Sequence, residues 1–251
     1  MRKSNCFLVV FLILCTFVLW PFNTASATIG VHTRLSTPIR GIDVSDWQRS
    51  VDWGAVKRSG IKFVMIRCGF RRIRARNVEE DERFVENVRN ARAAGLQVGA
   101  YFYSAAHSVA EAQQEAEYCL SLIRRFPGQT FEYPIVFDVE DDESFRAVGE
   151  NRGTMTAMVE IFCRTIERGG YYASFYANPN WLNNRLNGAY LLSKFDLWLA
   201  HWGVGSPSRP CGIWQYTDSG RVSGVSTGNV DMDYAYYDYP ARIRAFHCNG
   251  Y

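Results

Sequence analysis

Apolar residues recur along this chain with two periods, and the switches between them outline an alternating architecture. After a polar lead-in at 28–40, "GIDVS" at 41–45 alternates as a strand does. "VDWGAVKRSG" is a short helix stopped by Gly60, and "KFVMIRCG" at 62–69 is a second strand. "EEDERFVENVRNARAAG" has helical spacing closed by Gly95, followed by the strand "QVGAYFYS" at 97–104. A long amphipathic helix, "SVAEAQQEAEYCLSLIRRF", leads to the strand "YPIVFDVED" at 133–141, and the helix "GTMTAMVEIFCRTIERGG" follows. "YYASFYAN", "FDLWLAHW", "CGIWQYT" and "NVDMDYAYY" then succeed one another with only short segments between them.

These are eight strand candidates, the first four connected by helices, which predicts parallel pairing. Eight strands over roughly 200 residues suggest a closed, irregular, single-domain (β/α) barrel with helices depleted in its second half. A doubly wound open sheet is the competing arrangement. The predicted organisation is a secretory signal at 1–27, the lead-in at 28–40, a barrel at 41–240 and a C-terminal tail at 241–251. The signal rests on Arg2 and Lys3, an apolar run from Cys6 to Trp20, the breaker Pro21, and Ala25-Ser26-Ala27 for cleavage. An uncleaved anchor is the competing reading, against which the apolar run is short for a spanning helix. The protein is therefore expected outside the cell, with no stable membrane insertion once the signal is removed.

Composition narrows the partners. The chain has 251 residues, 47% of them hydrophobic and 15% aromatic, which fits a globular domain with a large core. Removing Arg2 and Lys3 leaves 26 basic against 25 acidic residues, so charge gives no reason to expect nucleic acid. Five cysteines remain after position 27: Cys68, Cys119, Cys163, Cys211 and Cys248. The first three lie in apolar strand or helix patterns, as buried thiols do, and a Cys211–Cys248 bridge is the pairing expected. No spacing resembles a zinc site.

The acids carry the chemistry. Asp43 lies near the end of the first strand, Asp138 and Glu140 near the end of the fourth, and Asp231 in the last. Residues two apart on a strand share a face, and barrel sites gather at one mouth. First and last strands are neighbours in a closed barrel, which lets Asp231 approach Asp43. Crowded carboxyls raise one another's pKa, as glycoside hydrolysis requires of its general acid. Phe102, Tyr176, Trp198, Trp202, Trp214 and Tyr216 fall on or beside strand ends, where flat aromatic faces suit sugar rings. Other readings stay open: Asp43 as a turn residue, Asp231 and Asp233 as a solvated loop, the D-x-E pair as a divalent-cation ligand, the aromatics as packing. His107 and His201 form no nucleophile–base arrangement.

With those residues placed, the chain resembles the lysozymes of glycoside hydrolase family 25, the N-acetylmuramidase type, from about Gly41 to Asp238. The carriers are "GIDVSDWQ", "VDW", "FVMIRCGF", "DERFVENVRNARAAGLQVGAYFYS", "PIVFDVED", "SFYAN", "LWLAHW", "GIWQYT" and "VDMDYAY", in the family's order. The resemblance implies an irregular barrel that cleaves the β-1,4 bond between N-acetylmuramic acid and N-acetylglucosamine in peptidoglycan glycan strands, with retention and without a cofactor. It implies Glu140 as general acid and Asp138 as nucleophile or as the group orienting the substrate's acetamido function. Asp43 and Asp231 would hold the network and the sugar; Phe102, Tyr176, Trp198, Trp214 and Tyr216 would line the substrate site. A monomer is expected. A chitinase-like enzyme would need an acid where Val136 stands, and a non-catalytic glycan-binding barrel is the alternative of a different class.

Two departures stand out. "RRIRARNVEED" carries Arg71, Arg72, Arg74 and Arg76, either a solvated loop balanced by its own acids or a contact for anionic wall polymer. The last motif reads "VDMD", where Asn is frequent in relatives, so Asp233 adds an acid near the site.

Overall fold

A computed structural model describes residues 34–251; the expected signal and residues 28–33 of the lead-in lie outside them. The strands are β1 (Ile39–Val44), β2 (Phe63–Arg71), β3 (Val78–Glu80), β4 (Gln97–Tyr103), β5 (Ile135–Asp138), β6 (Ala173–Ala177), β7 (Asp196–Ala200), β8 (Ile213–Gly220) and β9 (Val230–Ala235). Eight of them close a barrel in the order β1, β2, β4, β5, β6, β7, β8, β9 and back to β1. The open-sheet alternative is thereby excluded. Strands β1 to β8 of the barrel run parallel, whereas β9 is antiparallel to both β8 and β1. Uniform parallel pairing fails there because only residues 221–229 separate β8 from β9, too few for a crossover.

Helices α1 (Trp53–Arg58), α2 (Phe84–Ala93), α3 (Val109–Ile123), α4 (Asp142–Ala147) and α5 (Arg152–Arg168) accompany the first half. After β6 only a short π-helical turn at Trp181–Arg185 and α6 (Gly188–Leu192) precede β7; 201–212 and 221–229 carry no helix, and α7 (Tyr239–Ala245) ends the chain. The depletion expected from the short connections is present. The pattern missed β3 because three residues hold too little periodicity to register.

Strand alternation sorts side chains into two layers. Ile42, Val64, Ile66, Val98, Ile135, Phe137, Phe175 and Leu197 face outward and pack under the helices. Phe63, Met65, Tyr101, Tyr133, Val136, Tyr176, Trp198 and Ile213 fill the barrel. Phe63 and Tyr133 stack at 4.1 Å between centroids. Gly41 and Gly99 make room for this plug, since a Cβ at either would lie within 2.7 Å of Phe63 or of Met65 and Tyr133.

Residues 241–251 are integral to the base of the barrel. Tyr239 and Ile243 of α7 belong to the interior cluster. Asn249, buried, accepts from the Tyr172 N–H at 2.6 Å and donates to the Phe131 and Tyr133 carbonyls at 2.7 and 3.1 Å. Asn249→Ala takes the partner from two buried carbonyls and one half-buried N–H, so unfolding stability should fall by about 2 kcal/mol, and Tm by roughly 5 °C, in calorimetry. An unchanged Tm would show that the base closes without this residue.

Candidate active site

The barrel mouth holds a cavity of about 330 Å³. Its floor is acidic for a simple reason of register: Asp43 and Gly41 point inward while Ile42 and Val44 point out, and Asp138, Asp231 and Asp233 share that inward phase. Asp43 and Asp231 are paired across the β1–β9 ladder. Because β9 runs backwards, its beginning rather than its end lies at the mouth, which puts Asp231 there. Asp138 ends β5 beside Tyr103 of β4 and Tyr176 of β6. Glu140 follows two residues later and lines the same cavity.

The other acids of "DVEDD" have local work. Asp141 caps α4, accepting from the Ser144 N–H and hydroxyl at 2.7 Å each, and Asp142 pairs with Arg185. At the rim, Ser45 and Gln48 form a capping box around the 3-10 turn Asp46–Gln48, which leaves Trp47 exposed over the cavity.

Gln215 connects the acids. Its Nε2 donates to Asp43 Oδ2 at 2.8 Å and to Asp231 Oδ2 at 3.3 Å, while its Oε1 accepts from the Tyr176 hydroxyl and Trp202 Nε1 at 3.0 Å each. Arg67 lines the cavity too, with its guanidinium committed to Asp46 and, at 2.8 Å, to the fully buried Asp81.

Electrostatics follow from burial. Burial, then Asp231, pushes Glu140 up to about 6, partly offset by the Tyr176 hydroxyl beside it. Burial, then Asp218, lifts Asp231 to about 6. Burial followed by Glu140 raises Asp138 well above the carboxylate range, and burial followed by Asp231 and Asp233 does the same to Asp43. A carboxyl that keeps its proton towards neutrality, among others that can share out negative charge, is what general acid chemistry needs. Among the described residues no three His, Cys, Asp or Glu side chains are arranged to hold a metal ion.

Of the aromatics expected at the substrate site, Tyr176 and Trp198 line the cavity and three do not. Phe102 faces outward against Tyr118 of α3 and Phe162 of α5, and Tyr101 and Tyr103, one step either side, take the inward positions. Trp214 and Tyr216 lie on the outer face of β8, where Tyr216 stacks on Tyr234 at 4.7 Å; Gln215 between them points in. All three corrections have one cause, the strand phase, which the inward Asp138 and Asp231 of neighbouring strands do not reveal for β4 and β8. The same ambiguity of phase hides Gln215, Tyr101, Tyr103 and Arg67, whereas Trp47 reaches the cavity from the 3-10 turn after β1, which no strand pattern marks; each sits inside a motif of the resemblance.

Three of the four loop arginines turn inward or pair locally. Arg71 is buried on Glu115, Arg76 pairs with Glu111 and donates to the Ala105 carbonyl, and Arg72 pairs with Glu79 across the β2–β3 hairpin; Arg74 is exposed. Arg71, Arg72 and Arg76 thus brace the hairpin, while Arg72 and Arg74 stay exposed on it. The Cys211–Cys248 bridge does not form: Cys211 packs in the outer core and Cys248 against the barrel's interior cluster, and both are free. Cys68 and Cys119 are the thiols in contact, 3.5 Å apart. His107 contacts Arg76 and His201 accepts from the Ser208 N–H at 3.3 Å, neither among the acids.

An eight-stranded barrel with carboxyls gathered at its mouth, two of them, Glu140 and Asp231, poised near 6, is the architecture of an acid-catalysed glycosidase. Residues 42–225 match the family Glycosyl hydrolases family 25. The chain is 33% identical to lysozyme M1 of Streptomyces globisporus over 78% of its length and 67% of that protein, and 29% identical to the autolytic lysozyme of Clostridium acetobutylicum over 78% of its length and 55% of that protein. The structure of the bacterial lysozyme from Streptomyces coelicolor superposes with a TM-score of 0.67 at 28% identity, covering 86% of this chain and all of that one. The chain belongs to glycosyl hydrolase family 25 and is a glycoside hydrolase.

Proposed function

We propose that this protein is a secreted muramidase that hydrolyses the β-1,4 bond between N-acetylmuramic acid and N-acetylglucosamine in peptidoglycan. The observation that carries the reading is Glu140, a carboxyl held near 6 at the barrel mouth with Asp138 and Asp231 beside it. Glu140 gives its proton to the glycosidic oxygen as the bond to the anomeric carbon breaks. Asp138, two residues away, bears on the sugar side, as nucleophile or by orienting and polarising the acetamido oxygen; either route retains configuration. Asp43 and Asp231, tied through Gln215, hold the sugar's polar groups, and the exposed Trp47 at the rim offers a face to its rings. The lysozyme names of the relatives and the apolar stretch before Pro21 support a wall substrate met outside the cell. The protein acts as a monomer with residues 1–27 removed, which N-terminal sequencing and sedimentation of the exported form would check.

The test is mass spectrometry of fragments released from purified peptidoglycan. Muramic acid at the new reducing ends supports the reading; glucosamine there reassigns the bond.

A pH prediction accompanies it. Glu140 must be protonated to act, so kcat/KM should fall as pH rises through about 6. Asp231 is the largest charge holding Glu140 up. Asp231→Asn should therefore move that alkaline limb to lower pH; a limb that stays in place would sever the coupling between the two.

A further inference from the structure

Asp233 takes no part in the reaction set out above, yet it is one of the least accessible acids in the molecule. It is completely buried on the inward face of β9, two residues from Asp231. Its Oδ1 accepts from Trp198 Nε1 at 2.8 Å. Its Oδ2 is equally buried and, among the described residues, meets no donor. The inward carboxyl diagonal to it across the β1–β9 ladder is Asp43, close enough for each to act on the other's charge, and itself an acceptor whose Oδ2 is engaged by Gln215 Nε2. Two ionised carboxylates cannot bond to each other, and in a poorly hydrated interior their repulsion is large.

We propose that Asp43 and Asp233 hold one proton between them, and that Asp233 thereby acts as a positioning residue that fixes the orientation and the charge of Asp43. The proton converts a contact between two acceptors into a hydrogen bond and satisfies the orphaned Oδ2. The pair titrates as one unit, whichever oxygen carries the proton at a given moment. The groups that face it offer no substitute. They are Asp231 on β9, Asp138 at the end of β5, and the phenols of Tyr101, Tyr133 and Tyr176 on the β4, β5 and β6 side, all anionic or neutral. Arg67 is the cation lining the cavity, and it is turned to Asp46 and Asp81. Burial and the neighbouring acids push both members of the pair upward, in the direction the shared proton requires.

For catalysis, a step that rests on the reading given under the proposed function, the consequence is a pocket with one negative charge fewer than its acids would suggest. Asp43 then presents a fixed oxygen to Gln215 and the substrate.

Two variants separate the outcomes. In Asp233→Asn the amide oxygen keeps the Trp198 bond, the amide nitrogen donates to Asp43, and the pair's single charge is conserved. In Asp233→Leu both bonds are lost. Carbon-13 NMR titration of aspartate-labelled free protein should show one protonated aspartyl carboxyl fewer at neutral pH in Asp233→Asn than in the wild type. Hydrolysis by Asp233→Leu should lose about tenfold or more in kcat with little change in KM, and Asp233→Asn should restore most of that loss. The alkaline midpoint of Asp233→Asn should stay within about 0.3 units of wild type, because Glu140 then feels the same charge. An equal number of protonated aspartates in the two proteins would overturn the shared proton. So would an Asp233→Asn midpoint lower by more than about 0.3 units, since the wild-type pair would then have carried two charges. A protein inactive on every glycan would sink the muramidase reading, while the NMR count would still decide the shared proton.

Discussion

Glu140→Gln should lower peptidoglycan hydrolysis by about a thousandfold in kcat while leaving wall binding and fold intact. The amide is isosteric and fills the same place at the cavity, but it has no proton to release to the leaving oxygen. The effect should appear in kcat and kcat/KM alike, because the missing interaction exists only in the transition state. Binding should persist because it rests on surfaces the substitution does not touch: the exposed ring of Trp47 and the Gln215-linked acids. The measurement is paired, fragment release by mass spectrometry and pull-down of the variant on insoluble wall. Retention of more than about a tenth of wild-type turnover would move the general acid elsewhere, Asp138 being the next carboxyl in reach. Loss of binding together with turnover would mean that Glu140 grips the substrate as well. The prediction leans on the burial that holds Glu140 at about 6. An exposed glutamate at the same place would have shed its proton well below neutrality.

The layout of the barrel was readable because strand and helix periods alternate cleanly up to Arg168 and short connections replace helices thereafter. Four acids could be assigned to one mouth from strand ends and barrel closure. The direction of β9 was not readable, since a strand's own pattern says nothing about its sense; it followed from the nine residues before it, which leave no room for a crossover. The aromatic lining was misplaced for a related reason. "AYFYS" and "IWQYT" are aromatic or apolar at several successive positions, so both phases of the strand look buried, and both faces are in fact covered, by helices or by the opposite barrel wall. Only tertiary context separates Tyr101 from Phe102 and Gln215 from Trp214. Polar neighbours such as Gln215 are better markers of the inward phase in these strands than the aromatics around them. A glutamine between two aromatics in a buried strand would be isolated on the outer face, whereas inside it finds the acids.

The arginine-rich hairpin shows where local pattern and tertiary role part furthest, and it leads to the largest stability effect expected here. Arg71 is buried at the end of β2, donating to Glu115 at 2.7 Å, to Gln114 at 2.9 Å and to the Glu111 carbonyl at 3.0 Å. Glu115, fully buried on α3, also accepts from the Ser104 hydroxyl at 2.7 Å. Even so, burial outweighs these partners and lifts Glu115 from an ordinary 4.5 to about 7. Arg71→Met should cost about 3–5 kcal/mol at alkaline pH, because it strands a buried charge. The sign of the pH dependence is fixed by the direction of the shift. A carboxyl raised in the folded state binds its proton more tightly there than in the unfolded chain, so its contribution to stability is full below about 4.5 and is lost as pH rises through about 7. Removing Arg71 takes away a charge that lowers Glu115, which moves the upper edge of that window higher still. Urea unfolding should therefore show a deficit for the variant that shrinks as the solution is made acidic and Glu115 can be neutralised. Adding Glu115→Gln to Arg71→Met should recover part of the loss at alkaline pH. A deficit independent of pH, and untouched by the second substitution, would mean that Arg71 stabilises the hairpin by packing its stem and donating to backbone carbonyls, with the Glu115 charge incidental.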